Sequence, residues 1–186
     1  DALLALVTDL VDAGAPIDGV GLQGHFNHFL SDGDQLATNI RAITDLGLLV
    51  EITELDVSLN PLLGAPIDEA AQAEQYFDVV NACATVELCV GVTTWGVHDG
   101  ASWLDTFPPF DLGAPNRPLL FDADFEPKLA YGAVADALAA RAIPEAGTGV
   151  LSVAGAVAIA AARRRSRNRT HDLEWDAAAT QPDSGR

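Results

Sequence analysis

The sequence predicts an α/β fold, a parallel sheet covered by helices and either open or closed into a barrel. Three observations predict it. Helical and strand-like periods alternate over the first 142 residues as α-β-α-β-α-β-loop-α. The strand-like runs are short, apolar and rich in β-branched residues, as buried parallel strands are. All three end in polar or aromatic residues: Gln23 and His25, then Glu54 and Asp56, then Trp95 and His98. In either architecture chemistry gathers at the C-terminal ends of the strands, and three such tips on one side are hard to explain by packing alone.

The elements follow in order. Leu3, Leu6, Val7, Leu10 and Val11 give residues 2–13 a helical period, which Gly14, Pro16 and Gly19 end. The chain opens inside this pattern without a Met or a cap, and reads as one whose N-terminal part is missing. Val20 to Phe26 is a strand and Asn27 to Asp34 a loop. Residues 35–46 form a second helix on Leu36, Ile40, Ile43 and Leu46, closed by Gly47 in the left-handed C-terminal turn.

Val50 to Val57 is the central strand. Alternation by two puts Ile52, Glu54 and Asp56 on one face and Glu51, Thr53, Leu55 and Val57 on the other. A carboxylate inside a buried strand is costly unless it is paired or used, although solvated acids at a strand end would look the same. After a loop with Pro61, Gly64 and Pro66, a third helix runs from its N-cap Asp68 to Asn81. Val90 to Val97 is the third strand. A long loop from His98 to Pro118 carries Trp103 and four prolines, and the last helix spans residues 127–141 with Pro127 in its first turn.

Charge narrows the partners. Acidic residues outnumber basic ones 27 to 10, for a formal charge of −17, and five of the ten basic residues fall between Arg163 and Arg169. A body this acidic would repel phosphate, which argues against nucleic acid and suits a neutral ligand. Cys83 and Cys89, six positions apart, fit no zinc spacing. They read either as a disulfide closing a short loop, which implies an oxidising compartment, or as two buried thiols.

Two motifs are set aside. Gly19, Gly21 and Gly24 spell a dinucleotide fingerprint, but they lie before and inside a strand instead of opening a helix, so no cofactor is expected. His25 and His28 form H-x-x-H without a third ligand at matching spacing, so no metal is expected; a His25 hydrogen-bonded to a carboxylate fits better. Trp95 and Trp103 sit at a strand end and in a loop, where indoles either stack on the apolar faces of sugar rings or pack the mouth of a barrel. Carboxylates, polar groups and tryptophans at one rim point to glycoside hydrolysis, which needs two carboxyl groups flanking the bond. Glu54 and Asp56, two residues apart on one strand, cannot flank it, so the acid/base would come from another strand.

The segments that carry this chemistry resemble the C-terminal part of the family-10 glycoside hydrolases, the endo-1,4-β-xylanases. They are Asp18-Gly-Val-Gly-Leu-Gln-Gly-His-Phe26, Ile52-Thr-Glu-Leu-Asp-Val57, Gly91-Val-Thr-Thr-Trp-Gly-Val-His-Asp99 with Ser102-Trp103, and Pro118-Leu-Leu-Phe-Asp122 leading to Pro127-Lys-Leu-Ala-Tyr131. The resemblance covers residues 1–140 and implies strands six to eight of a (β/α)8 TIM barrel with their helices, over residues 1–142. It implies that Glu54 is the nucleophile of a retaining reaction and that His25 and Asp56 hold it ionised and oriented. Gln23, Trp95, Trp103 and His98 would contact xylan or xylo-oligosaccharide. Cys83 and Cys89 match a disulfide of some members. The family's acid/base, in an Asn-Glu motif at the end of strand four, has no counterpart in these 186 residues, so this stretch is expected to be inactive alone. The alternative is a surface protein that binds polysaccharide without cleaving it.

The composition then shifts. Residues 143–169 hold Pro144-Glu145, thirteen small or apolar residues from Val150 to Ala162, and the arginine cluster. They resemble the C-terminal sorting signals of bacterial surface proteins, which implies membrane or cell-wall anchoring with the barrel outside; a surface helix with a basic end is the alternative. The apolar run is short beside the ~20 residues a spanning helix needs. Residues 170–186 read as a disordered polar tail.

Overall fold

The computed structural model describes residues 2–26, 31–62, 65–108, 110 and 113–142. The regions 143–169 and 170–186, and His28 of the H-x-x-H motif, lie outside the described residues. The described chain is α1 (Ala2–Asp12), β1 (Gly19–Leu22), β2 (His25–Phe26), α2 (Gly33–Thr44), β3 (Leu49–Val57), α3 (Glu69–Ala84), β4 (Cys89–Thr94) and α4 (Leu129–Ala142), with short 3-10 turns at Asp99–Ala101 and Trp103–Asp105. All pairings between the strands are parallel: β3 lies in the middle, with β1 and then β2 along one side and β4 along the other.

Local sequence explains the helix ends. Asp32 and Asp68 each accept a backbone N–H one turn on, from Gln35 and Ala71, and so cap α2 and α3 as side-chain oxygens at an N-cap do. Gly47 takes φ +83° just past α2, the left-handed turn its position predicts. Pro127 does not enter the last helix. It bridges antiparallel to Phe121, and Lys128 N–H donates to Leu120 O, so α4 starts two residues later than the proline predicts.

The core lies between the sheet and the helices. Ile40 and Ile43 of α2 and Tyr76, Val79 and Val80 of α3 pack with Val50, Ile52, Leu55 and Val57 of β3. Those four strand residues do not share one parity, and the register says why. Leu22 pairs with Ile52 but His25 with Asp56, so β3 spends four steps where its neighbour spends three. Against β4 the pairs are Ile52 with Val92 and Leu55 with Thr94, three steps against two. β3 therefore carries a bulge at Thr53–Glu54. Strict alternation places Ile52 with Glu54 and Asp56; the bulge instead sends Ile52 to the core with Leu55. The strand expected over Val20 to Phe26 breaks opposite this bulge, at Gly24 with φ +85°. A side chain there would meet Ile52 Cγ2 at 3.0 Å.

Cys83 and Cys89 form a disulfide, Cα to Cα 5.2 Å, tying the last turn of α3 to the first residue of β4. This settles the alternative of buried thiols.

Candidate active site

The bulge makes a site because it puts two acids under one histidine. His25, at the start of β2, lies beside the tip of β3. Its Nδ1 is 3.0 Å from Asp56 Oδ1 and its Nε2 is 3.1 Å from Glu54 Oε2. Trp103 Nε1 donates to the other oxygen of Asp56, Oδ2, at 2.8 Å. Asp56 is fully buried, whereas the His25 and Glu54 side chains keep 17% and 22% exposure. The chain is thus a relay from a buried acid through an imidazole to a half-open carboxylate.

Both His25 nitrogens face carboxylate oxygens, and a neutral imidazole can donate through only one of them. The two hydrogen bonds are satisfied together when the ring is the imidazolium and both acids are ionised. The electrostatics agree: the hydrogen bond to Asp56 raises the His25 pKa above its usual 6.5, Glu54 adds to this, and partial burial opposes it. Folding therefore favours the charged ring. The stability it adds is fully present below pH ~6.5 and is lost as the pH rises through the raised native value. NMR titration of the His25 ring is expected to give a midpoint above 6.5, with stability falling beyond it; a midpoint at or below 6.5 would contradict the paired geometry.

Two tryptophans frame the relay. Trp95 backbone N–H donates to Leu55 O just past β4; the residue is 46% exposed and its ring stands edge-on to His25 at 6.3 Å. Trp103 lies 5.2 Å from His25, ring to ring. Gln23 is exposed in the break between β1 and β2, and its carbonyl accepts Glu54 N–H at 2.8 Å. His98 points its contacts elsewhere: its ring stacks on Phe125 at 4.1 Å, and its Nδ1 is buried with no hydrogen-bond partner among the described residues. Among the described residues no group of three His, Cys, Asp or Glu side chains could hold a metal, and the fingerprint glycines lie in β1 and the break that follows it.

Several supporting residues were not legible as such. Asn116, 1% exposed, accepts Ser58 Oγ–H at 2.7 Å, while its amide group donates to Leu104 O, Asp105 Oδ1 and Phe110 O. One side chain thereby ties the end of β3 to the loop that carries Trp103. The chain's only lysine, Lys128, donates to Asp99 Oδ2 at 2.9 Å and to Arg117 O at 2.7 Å. Burial lowers its pKa against the pull of Asp99. Asp99 Oδ1 also accepts Leu119 N–H, and Gln72 Nε2 donates to the Arg117 carbonyl too. Those bonds hold Arg117 at φ +44°, an uncommon backbone for a residue with a side chain. The sequence flags none of these partners, because each acts on a residue far away along the chain.

The model of glycosyl hydrolase family 10 matches residues 1–137 of this chain. The chain belongs to glycosyl hydrolase family 10. A family-10 relative, endo-1,4-beta-xylanase 1 of Humicola insolens, is 37% identical over 140 residues, which cover 75% of this chain and 32% of that protein. Among solved structures, native xylanase 10B of Thermotoga maritima superposes with a TM-score of 0.65 at 28% identity, over 75% of this chain and 42% of that one. Xylanase 10C of Cellvibrio japonicus in complex with xylopentaose gives 0.63 at 34% identity, over 74% and 30%. The chain thus spans about a third of the length of the curated relatives it matches. Its family-10 neighbours imply a (β/α)8 barrel, of which these residues cover a part.

Proposed function

We propose that residues 1–142 are the C-terminal part of the barrel, strands six to eight with their helices, from a retaining endo-1,4-β-xylanase. Glu54 is the nucleophile that forms the glycosyl-enzyme intermediate. His25 and Asp56 keep it ionised and aimed. One observation carries this: an open carboxylate held by an imidazole whose other nitrogen meets a buried acid, at the C-terminal ends of parallel strands. The His25 ring fixes Glu54 through Oε2, which aims the carboxylate as a nucleophile requires, while Trp103 binds Asp56 Oδ2 and leaves Oδ1 to His25.

Gln23, Trp95, Trp103 and His98 are assigned to the sugar, the indoles through stacking and Gln23 through its amide. With Nδ1 buried, His98 would meet a hydroxyl through Nε2. The relative solved with xylopentaose supports a β-1,4-xylosyl chain as the ligand. Double displacement also requires an acid/base about 5–5.5 Å from Glu54, across the bond from it. Asp56 is already held by His25 and Trp103 and cannot take that place.

The test is a chimera in which residues 1–142 complete the preceding strands of a family-10 relative. Its hydrolysis of an aryl xylobioside is expected to release the retained anomer, read by NMR during the first turnovers; the inverted anomer would refute Glu54 as nucleophile. Residues 1–186 alone are expected to give no turnover, and release of aglycone well above blank would overturn the need for a second carboxylate from elsewhere.

We also assign residues 143–169 as an anchoring segment and residues 170–186 as a polar tail, on the Pro-Glu pair, apolar run and arginines alone. This places the barrel on the outer surface of the cell. A reporter ending in residues 143–186 is expected in the membrane or wall fraction of a bacterial host, and purely soluble recovery would dismiss the assignment.

A further inference from the structure

We infer that the exposed ring of Phe107 is an additional sugar-stacking element, which extends the aromatic wall past Trp103 by a further residue of a β-1,4-linked pyranoside chain. This rests on the glycan-binding reading above and goes beyond it, because Phe107 lies in none of the segments that carry the family resemblance.

The rings contact one another in succession from the reacting centre, His25 to Trp103 to Phe107. His25 to Trp103 is 5.2 Å between centroids and Trp103 to Phe107 is 5.3 Å, so Phe107 continues the spacing of the rings that contact Asp56. Phe107 stays 53% exposed although apolar neighbours are at hand. Phe110 packs edge-on to Trp103 at 5.4 Å and lies nearly parallel to Phe107, 22° between planes at 6.4 Å. Phe110 N–H donates to Phe107 O at 2.9 Å, which ties the backbones that carry the two rings.

The loop beneath is held at four points. Asn116 binds the carbonyls of Leu104 and Phe110 and the carboxylate of Asp105, and Trp103 itself is fastened to Asp56. An aromatic face that is both open and immobilised costs little ordering entropy when a flat apolar ligand settles on it. The axial C–H face of a pyranose is such a ligand, and continuity with Trp103 specifies that it belongs to the same glycan.

The experiment is isothermal titration of the 186-residue chain with xylobiose, xylotetraose and xylohexaose, in the parent and in Phe107→Ala, Phe107→Leu and Phe107→Trp. Affinity of the parent is expected to rise with length. Phe107→Ala should lower it by about five- to tenfold for xylohexaose and least for xylobiose. Phe107→Leu keeps an apolar contact on Trp103 without a flat face and should match the alanine variant; Phe107→Trp should restore the length dependence. An unchanged length dependence in Phe107→Ala overturns the inference. In that case the glycan-binding reading still stands if Trp103→Ala weakens xylobiose binding. Failure of the parent to bind any of the three sugars overturns both.

Discussion

Glu54→Gln is expected to lower kcat of the chimeric xylanase by on the order of 10⁴- to 10⁶-fold, the scale on which removal of a nucleophile acts. The side chains are isosteric, and the amide oxygen can still accept from His25 Nε2 at the position of Oε2. What disappears is the charge and the nucleophilic oxygen, so the fold should survive while the covalent step does not. Binding of xylo-oligosaccharide should change little, because a loss made only in the transition state falls on kcat. Residual kcat within about tenfold of the parent would place the nucleophile elsewhere. The same substitution removes one of the two carboxylates that raise the His25 pKa, so its titration midpoint should fall.

Asp56→Ala carries the largest expected effect on stability. Asp56 is fully buried and takes both the Trp103 N–H and the His25 Nδ1–H, so its loss leaves two donors facing a gap that offers no carboxylate acceptor. Breaking a buried charge pair from one side costs about 3–5 kcal/mol. Asp56→Asn keeps the shape and one acceptor oxygen, but its NH2 confronts the second donor, so it should recover only part of the loss. Chemical denaturation of the two variants checks this: the expected order is parent, Asn, Ala. Destabilisation under about 1 kcal/mol by both would mean the network contributes no net stability. His25 should titrate lower in each, since Asp56 is the first cause of its raised pKa.

How much of this was legible in the sequence follows from the range over which each residue acts. Asp68 was readable as a cap because its partner, Ala71 N–H, is three residues away. Glu54 and Asp56 stood out because an apolar β-branched run should not contain them without a use. Their meeting with His25 was readable in kind, since polar residues at two parallel strand tips face the same rim. The bulge was not readable: it depends on counting residues in three paired strands, and β3 alone looks regular. Pro127 misled for a related reason. Its fixed φ suits a helix start, but an antiparallel bridge to Phe121, six residues earlier, holds it outside the helix. Asn116 and Lys128 gave no local signal. Asn116 sits between Pro115 and Arg117 in what reads as an ordinary loop, and its role appears only when Ser58, 58 positions earlier, is brought against it.

The extra residue at Thr53–Glu54 has a practical consequence for anyone redesigning this sheet. It lets β3 follow two reading frames: up to Ile52 the even-numbered Val50 and Ile52 face the core, and past the bulge the odd-numbered Leu55 and Val57 do, which leaves the even-numbered Glu54 and Asp56 to the site. Idealising the strand into continuous register, a common first step in stabilising a natural β-sheet, would keep one frame for its whole length. With Val50 and Ile52 left in the core, Leu55 and Val57 would then project into the cleft and both acids into the helical layer. Every residue of the site would still be present in such a protein, and the site itself would be turned inside out.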